Sequence, residues 1–211
     1  MAAVLELFER LGDELIDPNF VRWTKETHLR NLNDAISSIL VVRPDLGRVT
    51  AEVELAANSM RAQLPPDAYK LIGVNHVNGY ALQFVDIFRL NQNYPQWRMM
   101  KDPQPTNWTR QENDDLSFYV FPAPTNAVNV EFDYARQIRV NGESEQFPLP
   151  SIYESMVFDF MMFRAYSKDG QNDSELGKSN QHLQLFQLAL TGKTSTDNAE
   201  RQRIASSERR R

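Results

Sequence analysis

The stretch Ser151-Ile-Tyr-Glu154-Ser-Met-Val-Phe-Asp-Phe-Met-Met-Phe-Arg-Ala165 decides how this 211-residue chain must fold. Ser151 and Glu154 have the spacing of a capping box and directly follow Pro150, which predicts a helix start. From Ile152 to Ala165 that helix is apolar almost all round: Tyr153, Met156, Val157, Phe158, Phe160, Met161, Met162 and Phe163 leave no wide polar face. A helix of this kind has to be covered on more than one side.

The covering elements are sought outward from it. Lys168-Asp169-Gly170 closes the helix, and a last helix from about Ser174 to Thr191 sets Leu176, Leu183, Phe186 and Leu190 on one stripe. At the other end of the chain, Val4, Phe8, Leu11 and Leu15 recur at helical spacing within residues 2 to 16, and Asp17-Pro18-Asn19 stops them. A second helix begins near Thr24, a good N-cap with Glu26 in the first turn, and aligns Leu29, Leu32, Ile36 and Ile39. Arg43-Pro44-Asp45 ends it, because a residue before proline is pushed out of the helical region.

Between these helical ends, from about residue 49 to 147, the period of 3.6 vanishes apart from Val85 to Leu90. Thr50 to Leu55, Tyr69 to Val77, Ala81 to Val85, Leu116 to Phe121 and Ala127 to Tyr134 are short runs rich in β-branched and aromatic residues. Asn78-Gly79 between two such runs signals a type I′ hairpin. Pro122 and Pro124 should stop ladder pairing beyond Phe121. The expected fold is α+β: a helical layer from residues 1–48 and 148–192, with a mostly antiparallel β lobe inserted at 49–147.

Composition narrows the function classes. The 41% apolar and 24% charged residues are those of an ordinary globular protein, and no run approaches a membrane span. The first ten residues lack the basic region and long apolar run of a signal peptide, so a soluble protein, intracellular when made, is expected. Cysteine is absent, which removes thiol nucleophiles, iron-sulfur clusters, zinc ribbons and disulfide frameworks. His28, His76 and His182 have no metal-ligand spacing. Asp114-Asp115 and Glu143-Ser-Glu145 read as solvated turn acids, and no phosphate-cradling or nucleophile-elbow motif occurs. Catalytic, cofactor and metal sites are all expected to be absent. Trp23, Trp97 and Trp108 read as packing or interface residues, since no basic stripe accompanies them.

Charge is uneven. Residues 193–211 hold Lys193, Arg201, Arg203, Arg209, Arg210 and Arg211 against three acids, leaving 17 basic and 25 acidic side chains in the rest. In that segment only Ala199, Ile204 and Ala205 are apolar, too few to order it by burial within its own subunit. It is either a solvated terminus or a partner-binding arm.

Four short motifs bear on that choice. Val41-Val-Arg-Pro-Asp45, Gln63-Leu-Pro-Pro-Asp67 leading into Leu71-Ile-Gly-Val-Asn75, Phe118-Tyr-Val-Phe-Pro-Ala-Pro124 and Phe163-Arg-Ala-Tyr-Ser-Lys-Asp169 stand in one order along residues 20 to 190. Together they resemble the landmarks of tailed-bacteriophage head-tail adaptor proteins, also described as head-to-tail connector or head completion proteins. In the Glu54 to Arg61 region Ala56-Ala-Asn-Ser-Met60 replaces the family's more glycine-containing turn.

The resemblance implies a structural virion protein, made in the host cytoplasm and placed at the head-tail junction. It implies a homo-oligomeric ring of roughly twelve copies beneath the portal, joined to a downstream tail or nozzle protein, with DNA passing through non-specifically. It implies no cofactor, no membrane and no active site. An acidic body suits such a channel, because attraction to phosphate would oppose release. The resemblance points to a portal-binding arm carried by Arg201, Arg203, Ile204, Arg209, Arg210 and Arg211. Inter-subunit candidates are Trp97, Trp108, Tyr119 and Phe121, aromatic groups of the kind that enrich interfaces. Two rival classes remain: a virion-associated hydrolase or lysin domain, which needs a cleft with convergent polar groups, and another tail or baseplate binding module.

Overall fold

The computed structural model describes residues 3–168 and 173–208, without the side chains of residues 201 and 204–208. In chain order the elements are α1 (Val4–Glu14), α2 (Lys25–Val42), β1 (Arg48–Leu55), β2 (Arg61–Gln63), β3 (Ala68–Val77), β4 (Tyr80–Ala81), β5 (Gln83–Phe84), α3 (Ile87–Asn93), β6 (Lys101–Asp102), β7 (Asn107–Thr109), β8 (Ser117–Phe121), β9 (Ala123–Pro124), β10 (Val128–Arg136), α4 (Glu154–Ser167) and α5 (Asp173–Glu208). The chain divides into two compact units, Met1–Arg43 with Ile138–Arg211, and Pro44–Gln137. The architecture is α+β, with helices from both ends of the chain.

In the helical unit α4 buries Met156, Val157, Phe158, Met161, Met162 and Ala165. Its neighbours are α5, α2 and α1, so the all-round apolar helix is covered from three directions. Val4, Phe8, Leu11 and Leu15 of the first helical pattern are buried, as are Leu32, Ile36 and Ile39 of α2. Thr24 caps α2, its hydroxyl accepting the Thr27 N–H at 3.3 Å. Helix α1 has no side-chain cap. Instead the Val4 and Leu5 N–H groups donate to the carbonyls of Glu145 and Glu143 at 3.0 and 3.1 Å, which satisfies donors that a helix start leaves open.

That borrowing moves the boundary expected at residue 147. Residues 138–149 belong to the helical unit: Val140, Phe147 and Leu149 are buried, and the Asn33 amide brackets Val140, donating to its carbonyl at 2.9 Å and accepting its N–H at 2.8 Å. Three other local expectations are corrected. Residues 151–153 form a 3-10 turn in which the Tyr153 N–H is taken by the Pro150 carbonyl, so Ser151 lies inside the first turn and forms no capping box. Leu176 is exposed, because the crossing with α4 is made by buried Ser179, whose hydroxyl meets Ser167 Oγ at 2.8 Å and the Phe163 carbonyl at 3.3 Å. Beyond Phe121, pairing does not stop at the prolines, since β9 pairs in parallel with β6. Of the helix stop expected at Lys168-Asp169-Gly170, Asp169 and Gly170 lie outside the described residues.

The β unit is two four-stranded sheets, ordered β1-β10-β3-β4 and β2-β8-β7-β5, face to face around Leu71, Val74, Val77, Phe118, Val120, Val130 and Phe132. The Phe118 and Phe132 rings, one from each sheet, lie 5.5 Å apart. Asn78 and Gly79 have φ of 49° and 82° between the paired residues Val77 and Tyr80, as a type I′ turn requires. Strand β3 buries Ala68, Leu71, Val74 and Val77, every third residue where a plain strand would bury every second. The pairing with β10 explains it: three register shifts each leave one extra β3 residue unpaired, and each resets the pleat. Between β1 and β2 no hairpin forms. The Glu54 to Arg61 segment, with Asn58 at φ 63°, carries the chain from one sheet to the other, where β2 pairs with β8.

The α1–α2 connection is tied down by one side chain. The Asp17 carboxylate accepts the N–H groups of Val21, Arg22 and Trp23, each at 2.9 Å, and the Trp23 bond is the main reason its pKa lies below the usual aspartate value. Gly12 faces this loop so closely that a Cβ there would stand 3.1 Å from the Asp17 carbonyl oxygen. Gly12→Ala should therefore cost about 1 kcal/mol despite alanine's better helix propensity, and less in an Asp17→Ala background where the loop can give; chemical denaturation measures both.

His28 is buried between the rings of Phe8 and Phe20, and burial, partly opposed by the Asp17 charge, lowers its pKa below 6.5. The folded chain thus binds fewer protons than the unfolded chain as pH falls below about 6.5, so folding stability should decline there. The Asp17 contribution is lost further down, as pH falls through that group's lowered value. In His28→Leu the first decline should vanish from melting curves taken between pH 7 and pH 5, and persistence of the slope would refute this assignment.

Candidate assembly surfaces

The titratable groups do not converge. His28 is in the helical core, His76 pairs with Glu131 at 3.3 Å on a sheet face, and His182 pairs with Asp159 at 2.9 Å while stacking on Tyr166. Among the described residues no group of three histidines or acids is arranged to hold a metal ion. Asp114 accepts the Ser117 hydroxyl and the N–H groups of Leu116 and Ser117, bonds that lower its pKa, the hydroxyl foremost, and Asp115 pairs with Arg110 at 2.9 Å. Glu143 holds Lys25 at 2.7 Å and Glu145 accepts the Asn141 N–H. These acid pairs serve turns. A shallow cleft of about 370 Å³ in the helical unit is lined by Ile16, Asp17, Val21, Trp23, Tyr166 and Lys178 among others. Its one acid with a lowered pKa, Asp17, is already committed to three backbone donors.

The surfaces are more informative. Helix α5 does not stop at Thr191. It continues through Gly192, which keeps helical geometry, to Glu208, so the segment from residue 193, expected to be a solvated terminus or a partner-binding arm, is helical as far as it is described. Its root is braced: the Lys193 ammonium reaches Asp197 at 2.6 Å one turn on, and Arg43, the C-cap residue of α2, reaches the same carboxylate at 2.6 Å. The Lys193 bond is the main cause of the lowered Asp197 pKa. Beyond Asp197 every described side chain up to Arg203 is exposed. Arg209, Arg210 and Arg211 lie outside the described residues, as do the side chains of Arg201 and Ile204.

In the β unit the four aromatic inter-subunit candidates separate. Trp97 is 1% exposed and Phe121 is buried beside it, their rings 6.0 Å apart in a cluster with Ile87 and Leu90. The Trp97 Nε1–H donates to Asn91 at 2.8 Å. Both are packed inside their own unit and leave little side-chain surface for a contact. Tyr119 and Trp108 are half-buried. Trp108 packs on the core between the sheets, whereas over Trp97, Tyr119 and Phe121 the segment from α3 to β6 exposes Phe88, Tyr94, Met99 and Met100, which sequence inspection missed. For Phe88 the sequence signal is that α3 has one apolar residue more than its buried pair Ile87 and Leu90 uses, while Tyr94, Met99 and Met100 follow α3 in segments without a period to read.

The brace at the root of the tail helix is testable. Asp197→Ala should speed amide hydrogen exchange most from about residue 193 onward and lower the unfolding midpoint of the body, since buried Arg43 loses its carboxylate; equal exchange in wild type and variant would refute the brace.

A family model described as SU10 adaptor protein matches residues 2–211. No curated protein matches the sequence. A match over nearly the whole chain, covering both units and the long last helix, establishes kinship rather than a shared fragment: the protein belongs to the SU10 adaptor protein family, structural adaptors of the phage virion.

Proposed function

We propose that the protein forms the adaptor ring of the head-tail junction, roughly twelve copies docked under the portal, bound below to a tail or nozzle protein and traversed by DNA. The observation that carries this reading is α5. A 36-residue helix is far longer than the 14-residue α4 it packs on, and its described side chains past Asp197 are solvated. A helix that outruns its own core has surface to give to another protein. In the sequence this end carries five arginines, whose planar forks pair well with carboxylates. The acidic remainder of the chain fits a wall that DNA slides past, since it neutralises few phosphates.

A chain ending at Gly192 should fold and no longer bind portal rings. Arg209, Arg210 and Arg211 changed together to Ala should weaken binding and flatten its salt dependence. Negative-stain microscopy of the protein mixed with its portal should show a ring stacked on a ring. Undiminished portal binding by the truncated chain would overturn the docking role.

A further inference from the structure

The β unit has two unlike faces. Side chains alternate along β8, so Phe118 and Val120 enter the core between the sheets while Tyr119 and Phe121 point to the α3 side. The α3 segment therefore forms a third layer on the second sheet, and the outer face of the first sheet lies on the far side of the unit from it. The α3 layer exposes Phe88 (60%), Tyr94 (55%) and Met99 (77%), with Arg89, Arg98 and Lys101 around them against two acids, Asp86 and Asp102. The Arg98 guanidinium lies over the Trp97 and Tyr119 rings at 4.6 and 5.3 Å, held at the surface rather than free in solvent.

The outer sheet face is mostly acidic, with Arg48 at the start of β1 reaching Asp133 at 3.9 Å. Val49, Ala51 and Val53 of β1 turn toward the core, which sends Glu52 and Glu54 outward beside Glu131 and Asp133 of β10. Glu52 and Glu131 are direct cross-strand partners, a like-charge juxtaposition that costs stability in the isolated unit and is relieved by an arriving cation. Asn75 and His76 meet Glu131 from the neighbouring strand, while Glu52 and Glu54 are exposed.

From these two faces, and resting on the ring reading above, we infer that the occupant of the aromatic, cationic α3 layer is the acidic β1–β10 face of a second copy of this chain. A cyclic ring needs a heterologous contact, in which one surface of each subunit meets a different surface of the next. One unit carrying complementary charge on opposite sides meets that need, and the exposed aromatic and methionine side chains provide the apolar centre such a contact requires.

Charge reversal tests it on the full chain. Glu52→Lys with Glu54→Lys makes both faces basic, and Arg98→Glu with Lys101→Glu makes both acidic. Each variant alone should lose ring formation on portal at least tenfold, and an equal mixture should restore it by alternation. Rings formed undiminished by each variant alone, or no rescue on mixing, would overturn the inference. Because the chain has no cysteine, Met99→Cys combined with Glu54→Cys gives an independent check should a charge variant misfold. A short bis-maleimide should yield a ladder of covalent oligomers from the double variant and none from either single one. Microscopy of the same samples separates the two levels: wild-type rings on portal without a ladder defeat the face assignment alone, whereas absence of wild-type rings defeats the ring reading with it.

Discussion

Helix α4 is apolar on most of its sides, with Ser155, Arg164 and Ser167 left at the surface, and that single constraint organises the helical unit. It needs α1 and α2 from one end of the chain and α5 from the other, so the ends must come together and whatever lies between them becomes an insertion. Truncating a buried residue such as Met161 or Phe158 would open a void in this packing. The loops follow the same logic. Asp17 holds the turn that lets α1 lie beside its neighbours, and the carbonyls of residues 143 and 145 complete the start of α1.

The β unit solves a different problem, packing two short sheets with one extra layer. Three bulges in the β3–β10 ladder convert a strand with hydrophobic residues at a spacing of three into one that still buries them all. Each bulge also increases local twist, which suits a small, strongly curved sandwich. The consequence for function is that β3, β10 and β1 can keep an apolar inner face and a mostly polar outer one, while α3 and the Trp97 cluster close the opposite side.

An adaptor works through surfaces rather than a reactive centre, and the distribution of polar groups agrees with that family membership. The acids and histidines that sequence inspection singled out are each tied to a neighbouring side chain or backbone donor, or packed within the core. Among the described residues, what remains exposed and unusual is the apolar and basic α3 layer and the acids of the first sheet's outer face.

Local patterns determined much of this protein before any tertiary structure. The N-cap at Thr24, the stop at Arg43-Pro44, the Asn78-Gly79 turn and the apolar patterns of α1 and α4 depend on neighbours within a few residues, and short-range sterics and hydrogen bonding leave little choice at such places. The α+β division was legible for the same reason, because a change of hydrophobic period is visible in the chain itself. Long-range partners decided the rest. Residues 138–149 joined the helices because α1 lacked acceptors and Asn33 lay ready for Val140. Helix α5 ran on past Gly192 because Arg43, 154 positions earlier, met Asp197 beside Lys193. Trp97 and Phe121 went inside while Phe88 and Met99 stayed out because α3 could turn only one face to the second sheet. Composition says how many aromatic side chains a lobe holds; which of them reach the surface is set by the packing of elements far apart in sequence.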